Sequence, residues 1–398
     1  MRLSSRVAKI NPSETLAISA KTNALRAQGR DVIGFAAGEP DFDTPVNIKN
    51  AAIKAIEAGF TKYTPVGGTD ELKDAIIAKL KRDNDLEYKR SQIVVSCGAK
   101  HTLYNLAQVL FDPGDEVIIP APYWVSYPDI VVLAEGRPVI INTNEKDGFK
   151  MTPEQLRTAI TDRTRAVIIN SPSNPTGAAY SPQELQAIAK VLIDKDILII
   201  SDDIYEKIFY AKFPFMNMAT CEPKLKDRII VVNGVSKTYA MTGWRIGYAA
   251  GPEEIVAAIN KIQSQNTSNP TSISQKAAVE AISGEQGVVD KMVSEFQKRR
   301  DFIVDALNQI PGVKCFSPEG AFYVFPNVSG IYGRSYKGKK ITSSPELIDY
   351  LLDEANVAAV PGAAFGSDSH IRLSYATSLK NIEEGIKRIK DAISKLVS

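Results

Sequence analysis

Histidine is nearly absent from this chain. His101 and His370 are the only two among 398 residues, too few for a multi-histidine metal site and set in no metal-ligand spacing, so no metal is expected. Cysteine is scarce too. Cys97, Cys221 and Cys315 are odd in number, far apart and without CxxC spacing, which excludes a disulfide framework or a cysteine zinc site and leaves three small, buried apolar side chains as their expected role. Charge of one sign is also missing: 48 basic against 46 acidic residues leave +2, no footprint for nucleic acid or a membrane surface. Any anion must therefore be met by a local cluster. No apolar run approaches a membrane span, and the opening MRLSSRVAKINPSETLAIS lacks the apolar core of a signal peptide, so a cytoplasmic chain is expected. No GxGxxG follows a strand and no GxxxxGK precedes a serine or threonine, which removes the usual support for a dinucleotide or nucleoside triphosphate site.

What the chain does contain is alternation. The β-branched runs SQIVVS (91–96), DEVIIP (115–120), RAVIIN (165–170), ILIIS (197–201) and RIIVV (228–232) are separated by amphipathic or capped segments. Apolar runs this short and continuous are those of strands buried on both faces, so the pattern predicts an α/β fold, a mostly parallel sheet sandwiched by helices. Thr152-Pro-Glu-Gln155 and Ser181-Pro-Gln-Glu184 read as capping boxes with proline at the first helical position. Ile382, Ile386, Ile389, Ile393 and Leu396 recur at spacings of four and three and predict one apolar face of a final helix. NVAAV (356–360) and HIRLSYA (370–376) read as strands, whereas YGRSYKGKK (332–340) breaks the alternation. The length favours two domains. The expected division is an N-terminal segment 1–45, ending in the loop-like GFAAGEPDFDTP, a large domain 46–290, and a domain 291–398, with both chain ends building a smaller α+β unit.

In open α/β sheets ligands gather beyond the carboxyl ends of the strands. After the strand at 91–96 comes SCGAK, whose small Gly98 and Ala99 let backbone N–H groups approach an anion at a helix start; taken alone it is also an ordinary tight turn. After 165–170 comes NSPSNPTG, holding Asn174 between prolines. After 197–201 comes DDIY, with Asp202 beyond buried isoleucines and Tyr205 three positions on; a lone aspartate there would be a helix cap. After 228–232 comes VVNGVSKTYAMTGWRIGYA, in which Lys237 is a candidate buried amine and Arg245 a candidate anion clamp before the chain returns to an apolar strand. Burial disfavours the charged form of lysine, which suits an amine that must attack a carbonyl. Schiff-base chemistry on a pyridine cofactor asks for such a lysine, a carboxylate for the ring nitrogen and a phosphate clamp, and Lys237, Asp202 and Arg245 supply all three.

SKTYAMTGWRIGY, NSPSNPTG, SDDIYE, PAPYWVSYP, AAGEPDFDTP, KYTPVGG and IRLSYA together resemble the successive motifs of the fold type I aminotransferases, most closely the bacterial branch with aspartate and prephenate aminotransferases, over about residues 6 to 385. The resemblance implies that Lys237 tethers pyridoxal 5′-phosphate and moves the substrate proton, that Asp202 keeps the ring nitrogen protonated, and that Tyr205 and Asn174 bond the ring's phenolic oxygen. It implies that Trp124 stacks on the ring, that Ser236 belongs to the cofactor site, that Arg245 and the amides of Gly98, Ala99 and Lys100 hold the phosphate, and that Tyr63 reaches the phosphate of a neighbouring copy in a homodimer. For the substrate it implies Arg372 on the α-carboxylate beside Gly38, Trp124 and Asn174, with Lys100, Ser13 and Thr15 on a distal carboxylate. Asn11 is uncharged where some prephenate-active relatives carry a charge. The activity so implied is transfer of the amino group of L-aspartate to 2-oxoglutarate. Glutamate, prephenate or aromatic substrates, or a lyase reaction on the same scaffold, remain open alternatives.

Overall fold

The computed structural model describes residues 2–397. Its centre is a seven-stranded sheet in the order Ile93–Ser96, Gly247–Ala250, Ile229–Gly234, Leu198–Asp202, Thr164–Asn170, Glu116–Ala121 and Arg137–Asn142. Only Gly247–Ala250 runs antiparallel to its neighbours. Every other pairing is parallel. The expected parallel sheet is therefore present. The edge strand Arg137–Asn142, absent from the strands expected above, is buried only at Ile141 and exposed at Arg137, Ile140 and Asn142, and so lacks the continuous burial of its neighbours.

The two-residue period of a strand divides the core in two. Val94, Val117, Ile119, Ile168, Ile200 and Ile230 pack on one face against the helices Ala99–Leu110, Ser126–Leu133 and Glu253–Ser264. Ile93, Val95, Ile118, Val167, Ile199 and Ile229 pack on the other, where the helices Asp70–Asn84, Pro182–Leu192 and Ser272–Ser283 lie. Both capping boxes form, Thr152 with Gln155 and Ser181 with Glu184. The final helix Leu379–Ser394 buries Ile382, Ile386, Ile389 and Ile393 as its spacing requires.

A second group of elements joins the two chain ends. Ile33–Gly34 pairs in parallel with Val357–Ala358, and Ile371–Ser374 lies between Val360–Pro361 and Tyr323–Val324. Residue 290, where the large domain was expected to end, falls inside the helix Gly287–Asn308. The segment that broke the alternation is a short hairpin, Ser335–Tyr336 against Lys339–Lys340. Of the cysteines, Cys315 is buried as expected, but Cys97, in the turn after Ile93–Ser96, and Cys221, at the end of the short helix Met218–Cys221, are only half-buried. His370 is structural, stacked on Phe325 and hydrogen bonded to Ser367 and Glu145. Among the described residues no helix is long and apolar enough to cross a membrane.

Candidate active site

The carboxyl ends of five strands meet at one cavity of about 440 Å³. Lys237 follows Ile229–Gly234 and enters it from below. Its Nζ donates to the carbonyl of Gly38 at 2.5 Å, so the amine is anchored to the N-terminal segment. Burial pulls its pKa from 10.5 down to about 8, the nearby Arg372 and Arg245 charges adding to the fall and Glu39 and Asp202 opposing it. A substantial neutral fraction at neutral to mildly basic pH follows.

Asp202 ends the strand Leu198–Asp202 and is buried. Loss of hydration raises its pKa to about 6, while the Tyr127 hydroxyl at 2.6 Å, the Ile204 amide and the Lys237 charge hold the rise in check. The Ile204 amide, at 3.3 Å, is the local turn bond expected of an ordinary capping aspartate. Capping does not account for Tyr127, which arrives from the helix Ser126–Leu133 on another strand connection. Asn170 ties the neighbouring loop to this strand, donating to the Asp202 carbonyl at 2.9 Å and accepting from the Asn174 amide at 2.9 Å.

Arg372 is 1% exposed, between the rings of Tyr323 and Phe365. Its guanidinium donates to Asn174 Oδ1 at 3.0 Å and the Ala36 carbonyl at 2.7 Å, and its buried Nε has no partner. Burial lowers its pKa, with no carboxylate among the causes. A guanidinium buried among neutral oxygens carries a desolvation cost of several kcal/mol, which an anion bound beside it would offset. Tyr205 lies next to it, its hydroxyl 2.9 Å from that of Tyr323.

At the other end of the cavity Arg245 lies over the turn Cys97–Ala99. It donates to the carbonyls of Thr242 and Cys97 at 2.8 and 3.2 Å, and a Cβ on Gly98 would sit 2.2 Å from its Nη2. Gly98 also has φ +91°, so both the backbone and the close approach require glycine there. Arg245 itself has φ 56°, a left-handed conformation costing a non-glycine residue ~1 kcal/mol. The bonds to Thr242 and Cys97 hold the guanidinium at the helix start beside Ala99 and Lys100. Lys100 lies 5.0 Å above the Trp124 ring; partial loss of hydration and the Arg245 charge lower its pKa.

Ala99, Ser236, Gly38, Ser13 and Thr15 also line the cavity. Ser13 precedes the helix Glu14–Ala27 without capping it, which leaves its hydroxyl free for other partners. Of the residues singled out in the sequence, Tyr63 alone lies away from this site, 92% exposed. Gly98 lies just beneath the wall. Tyr127, Tyr323, Asn170, Glu39 and Thr242 line the cavity but were not singled out. Tyr127 stood inside the quoted PAPYWVSYP, and its position three residues after Trp124 was the one available signal. Glu39 accepts from Thr242 Oγ1 at 2.8 Å across the mouth, a contact between residues 203 apart that no local pattern encodes.

The arrangement can hold a phosphorylated, anionic ring system. The fit rests on the cradle under Arg245, the buried Asp202 and the depressed Lys237 amine. It can also hold a carboxylate at Arg372. Comparison with known proteins agrees with this chemistry. A family model described as aminotransferase class I and II matches residues 30–389. The aspartate/prephenate aminotransferase of Nitrosomonas europaea is 53% identical over 99% of this chain and all of its own length. The aspartate aminotransferase of Bacillus subtilis is 50% identical over 99% of this chain and all of its own. Among solved structures, the aspartate aminotransferase of Rhizobium meliloti superposes with a TM-score of 0.96 at 48% identity, covering both chains fully. That of Thermus thermophilus with maleate gives 0.93 at 41%, covering 98% of this chain and all of the other.

Proposed function

Because the chain belongs to the class I and II aminotransferases, we propose that it transfers the amino group of L-aspartate to 2-oxoglutarate with pyridoxal 5′-phosphate as cofactor. When bound, the cofactor supplies a carbonyl that takes the amino group and a protonated pyridine ring that accepts the electron pair left at the substrate Cα. Arg245, Ser236 and the Gly98–Lys100 turn would hold its phosphate, Trp124 its face, Asp202 its ring nitrogen, and Tyr205 with Asn174 its phenolic oxygen. The buried Arg372 guanidinium, which lines the cavity with no carboxylate beside it, is the observation that carries the substrate reading. Its bonds to Asn174 and the Ala36 carbonyl fix the guanidinium plane, so an α-carboxylate would meet it in one orientation. Lys237 would hold the cofactor, and its depressed pKa suits an amine that takes up the proton of the substrate Cα. Asp202, held by Tyr127, keeps its charge opposite that proton transfer.

Lys100, Ser13 and Thr15 face the cavity from the mouth and suit the distal carboxylate of a dicarboxylic substrate. Maleate, the molecule named with the Thermus structure, is such a dianion. Prephenate is the second reading, favoured by the name of the Nitrosomonas relative. The functional unit in this reading is a homodimer in which Tyr63 reaches the neighbour's phosphate, each chain being a large domain 46–290 with a smaller unit from 1–45 and 291–398. Incubation with aspartate and 2-oxoglutarate should yield glutamate and oxaloacetate, and aspartate alone should discharge the absorbance of enzyme-bound pyridoxal phosphate. Lys237→Ala should abolish that band. Glutamate appearing only with another donor, or no spectral response to aspartate, overturns the substrate assignment.

A further inference from the structure

Two buried glutamines hold the connection between the helices Val46–Glu57 and Asp70–Asn84, the loop that presents Tyr63. Gln263, on the helix Glu253–Ser264, is fully buried and fully satisfied. Its Nε2 donates to the carbonyls of Val66 at 2.7 Å and Val95 at 2.8 Å, and its Oε1 accepts from Ser96 Oγ at 2.7 Å and Asn105 Nδ2 at 3.1 Å. One carboxamide thus bonds the Tyr63 loop at Val66 and the end of the strand Ile93–Ser96, the residues directly before the turn under Arg245. The Val95 amide closes the same junction on the Gly67 carbonyl at 2.9 Å. Gly68, at φ +98°, passes so close that a Cβ would lie 2.7 Å from Val95 Cγ2. Gln275, equally buried, bonds Thr64, Thr69 and Pro270 and so secures the loop without touching the turn.

We infer that Gln263 is a positioning residue that makes the Tyr63 loop and the Cys97–Ala99 turn one mechanical unit, so that each chain's hold on its own cofactor phosphate is coupled to the tyrosine it offers the neighbouring site. The coupling to the neighbour rests on the shared-site reading proposed above. A buried amide whose four bonds reach three separate segments cannot be loosened at one of them without freeing the others. Gln275, with all its loop bonds on one side, is the internal control.

Hydrogen exchange of the full-length enzyme reads the unit directly. Gln263→Met should speed exchange at Gly68 and at Cys97 and Gly98 together by about tenfold, the loss of roughly one net buried hydrogen bond. Gln275→Met should speed Gly68 and Thr69 alone. In reconstitution of the apoenzyme, Gln263→Met should weaken pyridoxal phosphate binding, and adding Tyr63→Phe should then cost less than it does in the unaltered protein. Faster exchange in only one of the two segments, or strictly additive losses of cofactor affinity, overturns the inference. Unaltered affinity in Tyr63→Phe alone overturns the shared-site reading instead and leaves Gln263 to be judged by exchange. Should Gln263→Met fail to fold, Ser96→Ala removes one bond of the same carboxamide; it should give a smaller rise in both segments, and a rise in neither is equally fatal.

Discussion

At the scale of the residue, the site is a set of charges held against their preference. Asp202 has its pKa raised from 3.8 to about 6, so between those values the native chain holds a proton that the unfolded chain has released. Stability therefore falls as pH rises through that window and stays lower above it. Lys237 acts at the other end: with its pKa near 8 against 10.5, the native chain gives up its proton first, and stability rises as pH climbs from about 8 to 10.5. An apoenzyme at pH 7 to 8 thus carries both penalties. Asp202→Asn should raise its unfolding free energy at pH 8 by on the order of 2–3 kcal/mol, with the gain vanishing below about pH 4. The same change should slow amino transfer by on the order of 10²–10³-fold, since in the proposed reading it removes the charge opposite the reacting centre. Denaturant titrations at pH 4, 6 and 8 beside steady-state rates check both. An unchanged midpoint at pH 8 would mean that the carboxylate is not strained.

At the scale of the element, the strands announce themselves and the turns only half do so. Ile93–Ser96 and Ile229–Gly234 are buried at every position, and each opens on a continuous apolar run, 93–95 and 229–232. Their following loops were legible as places for chemistry because parallel strands aim all carboxyl ends at one side. Tyr127 and Tyr323 were not legible as site residues, because their partners Asp202 and Tyr205 lie 75 and 118 positions away and no helical or strand period connects them. Gly98 stood in view as a small residue at a helix start, but part of its necessity comes from Arg245, which folds back across it from 147 residues later. Gly98→Ala should therefore disturb binding as well as strain the backbone, held at φ +91°. Its Cβ would collide with the guanidinium and displace the proposed phosphate clamp, raising the dissociation constant of pyridoxal phosphate by about tenfold or more, the worth of a charge-assisted bond. Absorbance titration of the apoenzyme measures this, with circular dichroism expected to change little. An unaltered constant would remove Arg245 from the clamp.

At the scale of the whole molecule, near-neutral net charge conceals a cavity where Lys100, Arg245 and Arg372 gather beside Glu39, a local cluster at which the proposed anionic substrate would be met. What a single chain leaves unexplained is its outer face. The helix Val46–Glu57 buries Ile48, Ala52 and Ala55 on one side, while Val46, Ile53 and Ile56 stand 68%, 50% and 54% exposed on another, close in sequence to the exposed Tyr63. Three large apolar side chains sharing a helix stripe next to an outlying tyrosine fit a face that a second copy covers, which is what the shared-site reading requires. Ile53→Glu should shift the protein from dimer to monomer in sedimentation at micromolar concentration, because the new carboxylate would be desolvated in the contact. Cofactor affinity should fall in parallel and recover as protein concentration is raised far enough to restore the dimer. A dimer that survives the substitution would place the interface elsewhere. A monomer that binds pyridoxal phosphate as tightly as before would show that each site is complete within its own chain, and Tyr63 would then have no role in it.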